Sequence, residues 1–389
     1  MSEKNVPNVR FEGFSESWEQ RKFKKLYRKN TEKNEYQFTS DKTISIATMA
    51  YKTEGNGASD KSVPGYKVLR VGDIAFEGHK SKEFSFGRFV LNDIGDGIMS
   101  PRFTALRPLK NTNIQFWKYY IHYEPIMKKV LVRSTKLGTM MNELVLDDLF
   151  KQNLLVPSNL EQEKIGALLK KIDLIIASNQ HKLDQLKEVK KLLMQKIFDQ
   201  EWRFEGFTDP WEQRQLGKIV DERKERSSQG ELLSVTMHDG IKKSSTLGKK
   251  DNSSDNKSNY KVVCQGDIAY NSMRMWQGAS GLSMFNGIVS PAYTVLKIGT
   301  SIDGSFLSYL FKRSEMIWMF RTHSQGLTSD TWNLKYPALS KIKIEYPILN
   351  EQIRISTFLK NFDQLIASNQ QKLDQLKELK KWFMQNMFV

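Results

Sequence analysis

The sequence repeats itself at a nearly constant offset, and this decides what the chain can fold into. Residues 174–198, LIIASNQHKLDQLKEVKKLLMQKIF, and residues 364–388, QLIASNQQKLDQLKELKKWFMQNMF, are identical at 17 of 25 positions, 190 residues apart. Residues 10–21, RFEGFSESWEQR, match 203–214, RFEGFTDPWEQR, at nine of 12. Between these anchors the match thins to landmarks. YKVLRVGDIA from Tyr66 parallels YKVVCQGDIA from Tyr260, and GIMSPRFTAL from Gly97 parallels GIVSPAYTVL from Gly287. Phe116 and Tyr119 correspond to Phe306 and Tyr309, and Pro157, Glu161 and Gln162 to Pro347, Glu351 and Gln352. Repetition at this scale means two copies of one architecture. Similar scaffolds with diverged residues between the landmarks suit one task performed on two targets.

The repeated helices are the clearest local feature. From about Glu161 to Phe198, apolar residues recur at Ile165, Leu168, Leu169, Ile172, Ile176, Leu183, Leu186, Leu193 and Ile197. The second copy has Ile355, Leu359, Phe362, Ile366, Leu373, Leu376, Phe383 and Met387. Spacings of three and four make the apolar stripe of an amphipathic helix or coiled coil. A helix of this length extends roughly 57 Å at about 1.5 Å per residue. The two stripes are nearly alike, so each is the other's natural partner. Asn179 and Asn369 either lie on this seam and set its register or sit at its edge facing water. The Trp382–Phe388 end is rich in aromatic and Met residues, which either complete the seam or meet a further protein.

The intervening regions differ. VLRVGDIAF, RFTALRP, AYTVLKI and KIKIEYPIL are short β-rich runs, and glycine-containing turns such as NDIGDG and KTEGNG separate them. One helix is expected inside each region, near Ile114–Leu131 and Phe306–Phe320. The fold class is therefore mixed α/β. Residues 16–155 and 209–346 form two α/β domains. Residues 156–208 (helix about 161–198) and 347–389 form two helical spacers, and residues 1–15 pack near the C-terminal helix.

Lys and Arg exceed Asp and Glu by 60 to 44, a formal net charge of +16. Such an excess favours a polyanionic partner, nucleic acid or an anionic membrane. No apolar run is long enough to span a bilayer, and the N-terminus has no apolar core of a signal peptide. The lone Cys264 cannot form an internal disulfide, which fits a reducing cytoplasm, and is read as a small buried hydrophobe.

Catalytic motifs are missing. There is no G-x-x-x-x-G-K-[ST] phosphate loop. The five histidines show no metal-ligand spacing with each other or with Cys264. No two prolines are adjacent, so the Asn-Pro-Pro-Tyr/Phe motif of amino-methyltransferases is absent. Glu188/Lys190 and Glu378/Lys380 read as solvated helix charges rather than nuclease fragments. In GDIA, glycine followed by Asp73 or Asp267 makes a tight turn into a strand.

Phosphate contacts need positive charge, and base contacts need donors and acceptors on exposed loops. The first domain offers His79, Lys80, Lys82 and Arg88, then Ser100 and Arg102, then Arg133, Ser134, Thr135, Lys136 and Asn142. The second offers Asn271, Arg274, Trp276 and Gln277, then Ser290 and Tyr293, then Arg321, His323, Ser324, Gln325, Thr328, Ser329 and Asp330. Lys242, Lys243, Lys249 and Lys250 suit sequence-neutral phosphate contact. Trp18 and Trp211 read as anchors of the domains on the helices.

Taken together, the duplicated IASNQxKLDQLKExKK helix, the Pro-x-x-x-Glu-Gln lead-ins, the GFxxxWEQR openings and the GDIA and SPxxTxL landmarks resemble the specificity subunit of type I restriction–modification systems. The resemblance covers essentially the whole chain. It implies two target recognition domains separated by two long antiparallel coiled-coil helices, a pseudo-two-fold tandem repeat. It implies a bipartite, asymmetric target in double-stranded DNA, two methylation subunits docked on the helices, and optional restriction subunits. S-adenosylmethionine, ATP and Mg would bind those partners, and this chain would hold neither cofactor nor catalytic residue. A free-standing DNA-binding regulator is the alternative. A methyltransferase or nuclease in its own right is disfavoured by the missing motifs.

Overall fold

The computed structural model describes residues 5–52, 62–139, 141–237, 240–248 and 256–389. Lys249 and Lys250, and most of the KTEGNG turn, fall outside them. Two long helices, Asn159–Phe198 and Leu349–Met387, bracket the second α/β region. The chain divides into two compact units, and the division falls inside both helices. Unit 1 comprises residues 1–181 and 371–389, and unit 2 comprises residues 182–370. Each unit thus holds one α/β region, half of the first helix and half of the second.

Unit 1 is built on a four-stranded antiparallel sheet in the spatial order Tyr27–Lys29, Thr104–Pro108, Ile74–Glu77, Arg88–Leu91. Unit 2 repeats it with Val220–Glu222, Tyr293–Ile298, Ile268–Asn271 and Ser280–Leu282. A second ribbon closes each unit where the chain enters and leaves it. Glu19–Lys22 pairs with Asn153–Val156, and Glu212–Gln215 with Lys343–Tyr346. The strands coincide with the β-rich runs, because alternating Val, Ile, Leu and aromatic side chains bury one face of a pleated surface.

The single helix expected near the middle of each region is split into two, and a further short helix follows, Leu146–Lys151 in unit 1 and Tyr336–Leu339 in unit 2. Ile114–His122 and Glu124–Leu131 meet at Tyr123. There Pro125 lacks the amide a continuous helix needs and opens the first turn of the next one instead. In unit 2, Gly304–Leu310 and Ser314–His323 are separated by extended backbone at Arg313. Cys264 also departs from expectation. It is half-exposed in the turn before Gly266, where its amide donates to Asp267 Oδ2 at 2.7 Å. Gly72 and Gly266 both adopt positive φ, +91° and +89°, which the GDIA turn requires.

The core of unit 1 gathers Trp18, Phe116, Trp117 and Tyr120 with Ile165 and Leu169 of the first helix, Met387 of the second and Phe388 just beyond it. The core of unit 2 gathers Phe306, Phe311 and Leu216 with Ile197 and Phe198 of the first helix and Ile355 and Leu359 of the second. In each unit the helix halves run antiparallel. Asp173 meets Lys380 in unit 1, while earlier residues of the first helix share a cluster with later residues of the second. Lys190 meets Asp363 in unit 2 in the same sense.

The helices are buried unevenly. Ile172, Leu183, Leu373 and Asn369 are buried, whereas Ile176, Asn179, Leu186, Leu193, Phe362, Ile366, Leu376 and Phe383 are half-buried. Asn179 and Asn369 each donate to a carbonyl of their own helix, Ile175 O and Leu365 O, both at 2.8 Å.

Candidate nucleic-acid interface

Sheet register brings the sequence-predicted loops of unit 1 together. Phe76 pairs with both Thr104 and Phe89, and Glu77 with Arg88. The hairpin loop 78–87 and the turn 100–103 therefore emerge at the same end of the sheet. The third loop is stapled to the first. Asn142 N donates to Gly78 O at 2.8 Å, and His79 bridges to Met141. A side chain at position 78 would meet Asn142 O at 2.1 Å, so only glycine fits there. His79, Lys80, Lys82, Arg102, Arg133 and Lys136 are exposed on this end. It is a basic rim suited to phosphates.

Unit 2 repeats the layout with other side chains. Asn271 pairs with Tyr293 and Tyr270 with Ser280, so the loop 272–279 and the turn 290–293 share one end of the sheet. Leu334 N donates to Ser272 O at 2.8 Å and fastens the 324–333 loop beside them. Arg274, Arg321, Gln325, Thr328 and Ser329 are exposed there, and Trp276, Gln277, Ser290 and Tyr293 are half-exposed. The Arg321 guanidinium lies 5.1 Å over Trp332, whose ring meets Trp276 edge-on at 5.2 Å. Cation–π stacking of this kind orders an arginine while leaving its edge free to donate.

Several proposed readers are framework residues. Ser134 is buried and donates to Val130 O at 2.7 Å, and Ser324, 190 positions later, donates to Phe320 O at 2.7 Å. Each seals the end of a helix at the base of the third loop. Thr135 does likewise to Leu131 O at 2.8 Å. Asn142 is buried and donates to Ser85 O at 3.2 Å, tying two loops together. Arg88 is held by Glu77 at 2.6 Å, by Ala47 O at 2.8 Å and over the Phe84 ring. His323 spends Nδ1 on Met319 O at 2.8 Å. The buried ones among these cannot reach a base, because their polar atoms already complete internal hydrogen bonds. Conversely, Trp332 went unnoticed in the sequence. A tryptophan inside the polar run TSDTWN was the available signal.

A buried carboxylate organises each sheet. Asp73 accepts from Arg107 at 2.8 Å and from Asn30 Nδ2 at 3.0 Å. Burial pushes the Asp73 carboxyl up, against the pull of the Arg107 guanidinium. In unit 2, Asp267 pairs with Arg223 at 2.6 Å. Arg223 stands where unit 1 has Asn30, and Lys297 stands where unit 1 has Arg107. The carboxylate keeps one arginine, delivered from a strand in unit 1 and from the residue after a different strand in unit 2.

The docking of each α/β region on the helices is also duplicated. Arg10 forms a two-pronged pair with Glu161, at 2.7 and 2.8 Å. Arg203 does the same with Glu351, at 2.6 and 3.0 Å. Gln162 and Gln352 each donate to the lead-in proline carbonyl, at 3.0 and 2.7 Å. Trp18 is buried against Phe116 and Tyr120, and Trp211 packs on Phe198 and Phe306. Both are anchors rather than stacking platforms.

Among the described residues, no group of three His, Cys, Asp or Glu side chains could hold a metal ion, and no helix is long and apolar enough to cross a membrane. The fold is similar to that of type I restriction–modification S subunits. A crystal structure of a type I S subunit from M. genitalium has 13% identity and a TM-score of 0.59, with 99% of each chain covered. The HsdS subunit from Thermoanaerobacter tengcongensis has 17% identity and a TM-score of 0.50, covering 96% of this chain and 97% of that one. A third match, from a study of complex assembly and conformational transition of the type I R-M system, has 16% identity and a TM-score of 0.51, covering 94% and 96%. No match was found among curated proteins. Residues 209–378 match the model of the type I restriction modification DNA specificity domain.

Proposed function

We propose that this chain is the DNA sequence-specificity subunit of a type I restriction–modification complex. It binds a bipartite, asymmetric duplex target and directs adenine methylation and ATP-dependent restriction by partner subunits. One observation carries the reading. Two like scaffolds each bring three polar loops to one end of a sheet, and most exposed polar residues on those loops differ. Each unit then reads one half of the target. Phosphates are held by the cationic rim and bases by exposed residues such as Gln325 and Arg274.

The helices serve the partners. Leu174, Ile175, Leu379 and Trp382 of unit 1, and Val189, Leu192 and Leu365 of unit 2, stand exposed on them. Such rows suit docking of two methylation subunits, with restriction subunits joining optionally. They weigh against a free-standing regulator. S-adenosylmethionine, ATP and Mg belong to the partners in this reading, the chain contributes no catalytic group, and the complex works in the cytoplasm.

The test is methylome sequencing of cells with and without the gene, repeated after residues 209–346 are exchanged for the same region of a relative. The expected result is a two-part methylated motif that depends on the gene, with one part altered by the exchange. A motif that survives deletion of the gene, or an exchange that rewrites both parts, would overturn the proposal.

A further inference from the structure

Leu137 and Leu327 are 190 residues apart, the same offset that relates the long helices. Both are exposed, Leu137 at 70% and Leu327 at 101%. A single exposed leucine needs no explanation. Two at equivalent positions, in loops whose other exposed residues have diverged, form a pattern.

Both loops hold their leucine out on a braced tip. In unit 2, Gln325 and Asn333 exchange backbone hydrogen bonds of 3.0 and 2.8 Å across the loop base. Above it, Thr331 N and Thr331 Oγ1 both donate to Thr328 O at 2.9 Å. Gly326, at φ +140°, approaches so closely that a side chain there would lie 2.6 Å from Thr331 O. In unit 1 the loop closes differently. Gly138 O accepts from Lys80 Nζ at 3.0 Å, and a side chain at Gly138 would lie 1.9 Å from Met141 O. Exposed Lys80, Arg133 and Lys136 flank Leu137, and exposed Arg274 and Arg321 belong to the end of unit 2 that carries Leu327.

We propose that Leu137 and Leu327 are wedges that enter a base-pair step of the target duplex and bend it. This rests on the DNA-reading function proposed above. An apolar side chain can meet DNA by touching a thymine methyl or by entering between stacked bases. Thymine contact is sequence-specific, so units with different targets would carry different residues. A wedge acts on any deformable step, so the same residue serves both units. Unstacking a step is unfavourable, and the phosphate contacts permitted by the bend offset it.

The experiment uses the complex of the full chain with its methylation subunits and a duplex carrying the motif found by methylome sequencing. Fluorescence transfer between dyes on the duplex ends reports the bend, and titration reports affinity. Both leucines are exposed, so their variants should fold. Leu137→Ala and Leu327→Ala should each straighten the bound duplex and weaken binding about tenfold or more. Their double variant should do both further, and Leu327→Phe should restore the bend. A bend unchanged in both alanine variants would overturn the wedge, even if affinity fell, because that loss would mean groove contact. A selective wild-type complex on straight DNA would also overturn it. A wild-type complex with no preference for its motif would overturn the reading function and the wedge together.

Discussion

Lys380 Nζ lies 2.7 Å from Asp173 Oδ1, a contact between the second long helix and the first inside unit 1. Tyr119 completes the cluster. Its hydroxyl donates to Asp173 Oδ2 at 2.7 Å, and Lys380 Nζ lies 5.1 Å from its ring centre. Unit 2 has the same cluster 190 positions away, with Tyr309 donating to Asp363 at 2.6 Å and Lys190 over the Tyr309 ring at 5.0 Å. In each unit the tyrosine and aspartate come from one repeat and the lysine from the other.

Tyr119→Phe and Asp173→Asn should therefore lower the stability of unit 1 by about 1 kcal/mol each, since these groups are partly solvated. The double variant should cost less than the sum. A double-mutant cycle in urea unfolding measures the coupling, and strictly additive losses would show that the groups act separately.

The Arg10–Glu161 pair is far more enclosed, with side chains 10% and 2% exposed. Glu161→Ala strands the guanidinium and should cost about 3 kcal/mol. Adding Arg10→Met should recover part of that loss by removing the stranded charge. Thermal unfolding of the single and double variants reports it, and a double variant no more stable than Glu161→Ala would contradict the account.

Readers and phosphate contacts should separate by their salt dependence. Gln325→Ala should cost about 1–3 kcal/mol on the target and relax one position of it. Lys82→Ala should weaken target and random duplex alike and lower the salt slope by about one. Competition titrations over a range of salt concentrations distinguish the two behaviours.

Lys312 makes the stability of unit 2 depend on pH. Its amine donates to Gly278 O at 2.6 Å and Met237 O at 3.0 Å, and burial pushes its pKa down to about 8. The unfolded chain holds that proton up to about 10.4. Between these values the unfolded state binds more protons, so the contribution of Lys312 to stability rises as pH rises from about 8 to 10. Urea unfolding at several pH values should show this rise, and Lys312→Met should flatten it.

The repeat was legible because identical helices at a fixed offset survive divergence elsewhere. The strand runs were legible because alternation marks a half-buried pleat. The loop ends were legible as loops, but the jobs of single residues were not. Ser134 and Asn142 look like readers in a polar string, and only the fold reveals that Val130 O and Ser85 O already occupy them. The split of each inner helix turned on Pro125 and on the backbone of Arg313, local features that an apolar pattern passes over. Leu137 and Leu327 read as ordinary apolar residues until exposure set them apart.

The displaced arginine limits how copies of this architecture can be recombined. A hybrid domain joining the segment that carries Asn30 to the later part of unit 2 would set Asp267 beside Asn30 and Lys297, with no guanidinium. The reciprocal hybrid would crowd Arg223 and Arg107 around Asp73. Either cut disturbs the one-to-one match of arginine and buried carboxylate, at a cost in stability. Gene exchange between such domains is therefore tolerated where a whole domain moves and penalised where the crossover falls inside one. Diversity in a lineage of these proteins should come as interchangeable blocks whose borders lie at the helices.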